Sequence, residues 1–433
     1  MTTVAQALEK LYALQTHGIK PGLETTLAFL DRLGHPERAF AAFHVAGTNG
    51  KGSVCAMLEA ILRAAGLPVA LYTSPHLVRF NERIRVHDRY VTDKELAGLF
   101  AATEPIMADL AAEGREATFF EVTTAMAFEH FRRQGAKLAV LETGMGGRLD
   151  ATNVVTPLLS IITRIDIDHT QYLGKTLDAI TREKGGIIKP GRPVVLGAMP
   201  AEAAAVLGEI ARERGAPLID SATTVTVRRI SQSLAGQKIA IATEAADLGT
   251  VTLPLLGRHQ LENVATVIAA LEAAAVASPI RIPPETITAG LASVAWPGRL
   301  QVLSDRPPTL LDGGHNPDAA RGLAATLRDL FKKRPIGLVW GMCNDKDSAG
   351  FLAALPDTVR RCWAVPIRSE RSRTTSELAG LARGRRWAAK ESTVAEALAE
   401  AREWALTENG AVCIAGSLFL VGEVLERLGL APD

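Results

Sequence analysis

The run Gly47-Thr48-Asn49-Gly50-Lys51-Gly52-Ser53 is the sharpest chemical signal in the chain. It follows the apolar stretch AAFHVA and precedes the helix-patterned VCAMLEAILRAAG, the setting a phosphate-binding turn requires. Glycines let backbone N–H groups close around phosphate oxygens, and the helix N-terminus behind them adds positive potential. Lys51 is placed to reach β/γ-phosphates, and Ser53 offers a hydroxyl to Mg²⁺. The run lacks the first glycine of the strict G-x-x-x-x-G-K-[ST] spacing, and Gly52 separates Lys51 from Ser53. Glu142 ends the apolar run KLAVLE, so its carboxylate emerges at a strand's carboxyl edge, where it either holds a cation or caps the turn at Gly144. His169, after Asp168 and the run LLSIITRI, is by spacing alone as much a structural histidine as a ligand, and Lys184 reads as a solvated helix lysine. Arg79, Arg83 and Arg85 alternate with apolar residues, either as a solvated edge strand or as a face for a polyanionic acceptor. Phe119 and Phe120 suit a flat ring or a core equally well.

The elements that must carry these residues alternate regularly. Short β-branched runs (AAFHVAG, LPVALYT, KLAVLETG, LLSIITRI, RPVVLGA) are separated by alanine- and leucine-rich helical patterns, the pattern of a doubly wound α/β sheet with its ligands at the carboxyl ends of the strands. Residues 218–252 read as a peripheral antiparallel segment. The break Trp296-Pro297-Gly298 divides a first domain, 1–296, from a second α/β unit, 297–433, where PTLLDGG, PIGLVWG, RCWAVPI and GAVCIAG alternate again with helical stretches.

Composition bounds the reading. The 433 residues are 47% hydrophobic and 22% charged, which supplies large cores and excludes a disordered chain. With 48 Lys plus Arg against 47 Asp plus Glu, there is no global footprint for nucleic acid or an anionic membrane, so any anionic ligand must be met locally. Cys55, Cys343, Cys362 and Cys413 are scattered without a C-x-x-C pair, which fits reduced thiols and a cytoplasmic protein. The first residues lack the pattern of a signal peptide, and the apolar stretch near Ala411–Val421 is too short to span a membrane.

The loop G-T-N-G-K-G-S resembles the ATP-dependent amide ligases of folate metabolism, the folylpolyglutamate synthase/dihydrofolate synthase family of the Mur ligase superfamily. Further matching blocks run along nearly the whole chain: Tyr72–Leu77 (YTSPHL), Thr118–Glu121 (TFFE), Leu141–Asn153 (LETGMGGRLDATN), Asp168-His169-Thr170, Arg182-Glu183-Lys184, Gly257–Asn263 (GRHQLEN), Pro297-Gly298-Arg299 and Asp312–Pro317 (DGGHNP). The resemblance implies an α/β fold with a P-loop-containing Mur-ligase-like N-terminal domain and a smaller Rossmann-like C-terminal domain. It implies ATP on Gly47–Ser53, Asn263, Arg299 and Asp312, and two Mg²⁺ ions on Ser53, Ser74, Glu142, His169 and a carbamylated Lys184, with K⁺ as a further candidate ion. It implies catalytic roles for Lys51, Glu142, His169 and Lys184. The pteroate or folate is assigned to Ser74, Pro75, His76, Arg79, Thr118, Phe119, Phe120, Glu121, Leu149, Asp150 and Ala151. The implied substrates are 7,8-dihydropteroate, tetrahydrofolates and L-glutamate, handled by a monomer. His315 and the loop Cys343–Asp347 are placed close to the site. A Mur-type ligase of cell-wall precursors, a P-loop kinase or switch, and a non-catalytic nucleotide-binding module are the competing readings; the second explains the first motif alone, and the third leaves Lys51, Ser53, Glu142 and His169 together without a purpose.

Overall fold

The computed structural model describes residues 3–18 and 22–431. Its first sheet has eight strands: β1 (Ala41–Ala46), β2 (Val69–Tyr72), β3 (Ile84–Val86), β4 (Arg89–Tyr90), β5 (Leu138–Glu142), β6 (Leu159–Ile162), β7 (Val194–Leu196) and β8 (Leu218–Asp220). Their order is β4-β3-β2-β5-β1-β6-β7-β8, parallel except for the β2–β3–β4 edge. β1 lies at the centre and is buried along nearly its whole length, as a parallel strand covered on both faces must be, which is why AAFHVA reads as a continuous apolar run. The chain leaves its carboxyl end through the glycine turn and enters the helix Lys51–Ala64, whose residues from Gly52 to Leu62 are all buried.

A three-stranded antiparallel sheet follows: β9 (Val225–Ser233), β10 (Gly236–Thr243) and β11 (Asp247–Leu253), in the order β11-β10-β9. It is antiparallel as expected but not peripheral. Val225, Ile239, Ile241, Val251 and Leu253 enter the same apolar core as Val45, the helix Lys51–Ala64 and the helix Arg258–Ala277. Alternation in these strands gives one buried face, and a core helix supplies what it is buried against. That helix, Arg258–Ala277, is also the one among the described residues long and apolar enough to cross a membrane, and 67% of its most apolar window is buried inside the fold. The apolar stretch near Ala411–Val421 is instead split between a strand and the start of a helix.

The helix Pro284–Ser293, packed on the helix Lys51–Ala64 and on β11, ends at Ser293, and the first strand of the next sheet begins at Gln301. That sheet comprises β12 (Gln301–Asp305), β13 (Pro308–Asp312), β14 (Ile336–Trp340), β15 (Val359–Ala364), β16 (Ala388–Glu391) and β17 (Ala411–Ala415), in the order β12-β13-β17-β14-β15-β16, with only β12 antiparallel. It carries its own two apolar clusters, one on each face. All four cysteines are free and buried.

Candidate active site

The phosphate loop is fixed from three directions. From the neighbouring strand, the Arg164 carbonyl accepts from Thr48 N (2.8 Å), the Thr163 hydroxyl donates to the Asn49 carbonyl (2.8 Å), and the Thr48 hydroxyl donates to the Asp166 carbonyl (2.9 Å). From the core helix, Gln260 Nε2 donates to Ser53 Oγ (3.2 Å) and is itself linked to Asn263 Nδ2 through Oε1 (2.9 Å). From the helix Pro317–Phe331 of the six-stranded unit, Asp318 accepts from Asn49 Nδ2 (2.8 Å). Gly50 holds a left-handed φ of 92°, and a Cβ there would lie 2.6 Å from the Asn263 amide oxygen. Gly52 is helical, but a Cβ on it would lie 2.8 Å from the Trp296 indole, which explains the departure from the strict phosphate-loop spacing. Lys51 Nζ donates to the loop's own Gly47 and Thr48 carbonyls (3.1 and 3.4 Å).

Glu142 ends β5 and is buried at 5% exposure. Its Oε2 accepts from Ser74 N (3.2 Å), so the acid ties the YTSPHL loop to the phosphate site. Burial raises its pKa, and Lys51 pulls it the other way. The solvated-lysine reading of Lys184 fails: it is buried at 4% exposure and donates to the Gly47 carbonyl (2.8 Å), on the underside of the loop. Burial, reinforced by Lys51, brings its pKa down to about 7. His169 stands at the head of the short helix Thr170–Leu173 with a left-handed φ of 51° and a side chain 40% exposed. Its neighbour Asp168 receives Lys346 Nζ (2.7 Å) from the loop Cys343–Asp347, and both partners are nearly buried. Burial alone would raise the Asp168 carboxyl, but His169 and then Lys346 outweigh it and hold it well below the usual range.

On the acceptor side the structure redistributes the expected residues. Thr118 and Glu121 form a capping box at the start of the helix Phe119–Arg133, and Glu121 also accepts from Thr26 (3.2 Å), so both position the helix that presents half-buried Phe119 and Phe120. Asp150 is buried and accepts from Met145 N (2.9 Å) and Thr152 N (3.0 Å), shaping the turn that carries Leu149 and Ala151. Pro75 sits between Ser74 and His76 in a loop whose next residues, Leu77, Val78 and Arg79, all donate backbone N–H to the Glu82 carboxylate (2.7, 2.8 and 2.6 Å). Arg79 turns outward to a solvent-exposed ion pair with Asp93 (3.0 Å). Arg83 turns inward instead. His76 accepts from Arg83 Nε at Nδ1 (2.8 Å), and Tyr12, which the sequence did not flag, stacks on Phe119 with ring centroids 5.8 Å apart.

Across the gap, the Asp312 carboxylate accepts from Leu300 N and Gly314 N (2.9 Å each), ordering the turn around Arg299. Arg299 is close enough to Glu142 to lower its pKa. His315 Nδ1 meets the Gly313 carbonyl at 3.0 Å, and its Nε2 lies 4.0 Å from Asp168. Asp318 also pairs with Arg164 (2.9 Å) and with Arg321, which reaches Asp166 (3.0 Å). Gln260, Arg164, Asp318 and Lys346 therefore belong to the site. Three of the four fall outside the blocks read from the sequence or were given no role there, since spacing along one segment says nothing about which side chain of another reaches it.

Comparisons with known proteins match both parts of the chain. The Mur ligase middle domain matches residues 45–271, and the Mur ligase glutamate ligase domain matches residues 298–418. A dihydrofolate synthase/folylpolyglutamate synthase of Bacillus subtilis is 34% identical over 415 residues, covering 95% of this chain and 96% of the relative. Its Escherichia coli counterpart is 35% identical over 424 residues, with 98% and 95% covered. A Mycobacterium tuberculosis folylpolyglutamate synthase complexed with ADP superposes with a TM-score of 0.91 at 30% identity, covering 99% of both chains. An E. coli FolC in complex with DHPP and ADP gives 0.86 at 33% identity, covering 99% of this chain and 98% of that one. With the phosphate loop, the buried strand-end acid and the second sheet in place, the chain belongs to the dihydrofolate synthase/folylpolyglutamate synthase family of the Mur ligases.

Proposed function

We propose that this chain is an ATP-dependent ligase that adds L-glutamate to 7,8-dihydropteroate and extends tetrahydrofolates, with residues 1–296 holding nucleotide and acceptor and residues 297–433 closing the site and admitting glutamate. One observation carries the reading. Lys51 on the phosphate loop lies within electrostatic reach of the buried Glu142, which holds the Ser74 loop, and of His169, whose neighbour Asp168 takes Lys346 from the six-stranded unit.

The chemistry follows from the reactants. A free carboxylate does not form an amide because oxide is a very poor leaving group, so ATP first phosphorylates it to an acyl phosphate, which the glutamate amine attacks with release of phosphate. Lys51 compensates charge on the moving phosphoryl group, and the loop N–H groups and the helix N-terminus hold its oxygens. Asn263, Arg299 and Asp312 border the nucleotide, Asp312 by shaping the turn that carries Arg299. Phe119 and Phe120 face the flat ring, while Thr118 and Glu121 hold the helix that presents them.

Among the described residues no three His, Cys, Asp or Glu side chains form a ready-made metal cage. Mg²⁺ requires none, since it keeps several waters and is held through one or two carboxylates plus substrate phosphates. Ser53 and Glu142, hard oxygen donors beside the loop, fit such an ion, with Ser74 adjoining Glu142. Lys184 does not fit a second ion as an amine, but a carbamate on its nitrogen beside His169 does, and a pKa near 7 leaves the amine partly neutral and able to add CO₂ at neutral pH. When bound, Mg²⁺ neutralises phosphate charge and orients the reacting oxygens.

The test is phosphate release from Mg-ATP with L-glutamate, comparing 7,8-dihydropteroate, tetrahydrofolate and a UDP-linked muramyl acceptor, with each product weighed by mass spectrometry. Glutamate on both pterins establishes the dual activity. Glutamate on one assigns a single branch, and turnover on the muramyl acceptor alone overturns the proposal.

A further inference from the structure

Two of the three arginines between Val78 and Arg85 are spoken for. Arg79 pairs with Asp93 at the surface, and Arg85 pairs with Glu59 at 2.6 Å. Arg83 is different. It is only 7% exposed, and among the described residues no carboxylate lies within ion-pair distance of its guanidinium. Its Nε donates to His76 Nδ1 (2.8 Å), and its central carbon lies 5.3 Å from the Phe119 ring centre and 5.7 Å from that of Phe80. Among the described residues neither Nη nitrogen has a hydrogen-bond partner, and neither is as fully sealed from solvent as Arg85 Nε.

Its nearest carboxylates, Glu142 and Glu82, act on it only from beyond ion-pair distance, and a buried guanidinium so weakly compensated is unfavourable, since ring stacking offsets only part of its lost hydration. The arrangement makes sense if a second anion joins it in the working complex. The surroundings fix which kind. The Arg83 carbonyl accepts from Thr73 N (3.0 Å), directly before the Ser74 loop bound by Glu142. The rings beside it, Phe119 stacked on Tyr12 and met edge-on by Phe80, make an apolar aromatic surrounding.

We propose that Arg83 is the carboxylate receptor of the acceptor site: its two Nη nitrogens take the carboxylate of an aromatic acid in bidentate fashion while the ring packs beside the Tyr12–Phe119 pair. His76 is a positioning residue. Its Nδ1 accepts from Arg83 Nε (2.8 Å), which fixes the orientation of the fork. The inference rests on the ligase reading above but is separable from it.

The experiment is equilibrium binding of 7,8-dihydropteroate and of its carboxamide to wild type, Arg83→Met and Arg83→Lys, with a thermal melt of each protein alone. The expected result is a loss of about 10- to 100-fold in affinity for the acid in Arg83→Met, with the carboxamide unaffected. Arg83→Lys keeps the charge but loses the fork, and falls between. Arg83→Met alone should melt no lower than wild type, because it removes an unpaired buried charge, whereas a merely structural arginine would lower the melt. Equal loss for acid and carboxamide, or none for either, overturns the site. If wild type adds glutamate to dihydropteroate while Arg83→Met keeps its preference for the acid, only this inference falls. If wild type binds neither pterin, the ligase reading beneath it falls as well.

Discussion

Replacing Lys184 with methionine should stabilise the folded chain while abolishing activity, and the gain should shrink as pH rises. In the fold, burial reinforced by Lys51 takes this amine from 10.5 to about 7. Between those values the unfolded chain holds a proton that the folded chain has given up. Stability therefore rises with pH across that window, by about 1.4 kcal/mol per unit. Below pH 7 the amine is charged in both states and the whole cost of burying it is present, roughly 4–5 kcal/mol. Methionine keeps the apolar stem, removes that cost and forfeits the hydrogen bond to the Gly47 carbonyl, worth about 1–2 kcal/mol. The variant should then exceed wild type by about 2–4 kcal/mol at pH 6, and the margin should narrow by about 2–3 kcal/mol between pH 7 and pH 9. Urea titrations followed by circular dichroism at pH 6, 7, 8 and 9 in CO₂-free buffer give the comparison directly. A variant less stable than wild type at pH 6, or a margin that does not change with pH, would refute the argument. In parallel, wild-type turnover should fall on CO₂ depletion and return with bicarbonate, whereas Lys184→Met should stay inactive in both.

Three further outcomes follow from contacts described above. Gly52→Thr drives a side chain into the Trp296 indole and should cost about 1–3 kcal/mol and raise the KM for ATP; adding Trp296→Leu should recover part of both, as melting curves and initial rates will show. Asp318→Ala frees Asn49, Arg164 and Arg321 at once, and should raise the KM for ATP several-fold while lowering stability by only about 1 kcal/mol, since its ionic partners are partly solvated. Thr118→Ala removes a helix cap and should lower stability by about 0.5–2 kcal/mol with an unchanged urea m-value, together with a higher KM for the pterin acceptor than for ATP.

Much of the fold was legible because its strands are parallel and buried, so AAFHVA, KLAVLE, LLSIITRI and GAVCIAG announce themselves as unbroken apolar runs. The short strands β3, β4, β12 and β16, at or next to a sheet edge, carry weak patterns, because such strands need little burial. Within the site, the phosphate loop and Glu142 were readable from a motif and a strand end. Arg79 and Arg83 were not separable, since only the fold turns one outward to Asp93 and the other inward onto Phe119. Lys184 shows the same limit: helical spacing suggests a wet lysine, and only the packing of its helix beneath the phosphate loop makes it dry.

The carboxy-terminal six-stranded unit meets the rest of the chain at several places, two of which differ in character. One is the polar lattice around Asp318. The other is a close backbone approach, where a Cβ at Gly422 on the helix Leu418–Arg427 would lie 1.9 Å from the Leu77 carbonyl of the YTSPHL loop. A chimaera that borrows its carboxy-terminal half from another ligase thus inherits two passwords, an acid at the start of one helix and a missing side chain in another. Halves that disagree at either would each keep their apolar cores yet dock out of register. The exchange of halves between such ligases is limited by fit at these few positions rather than by the stability of either half.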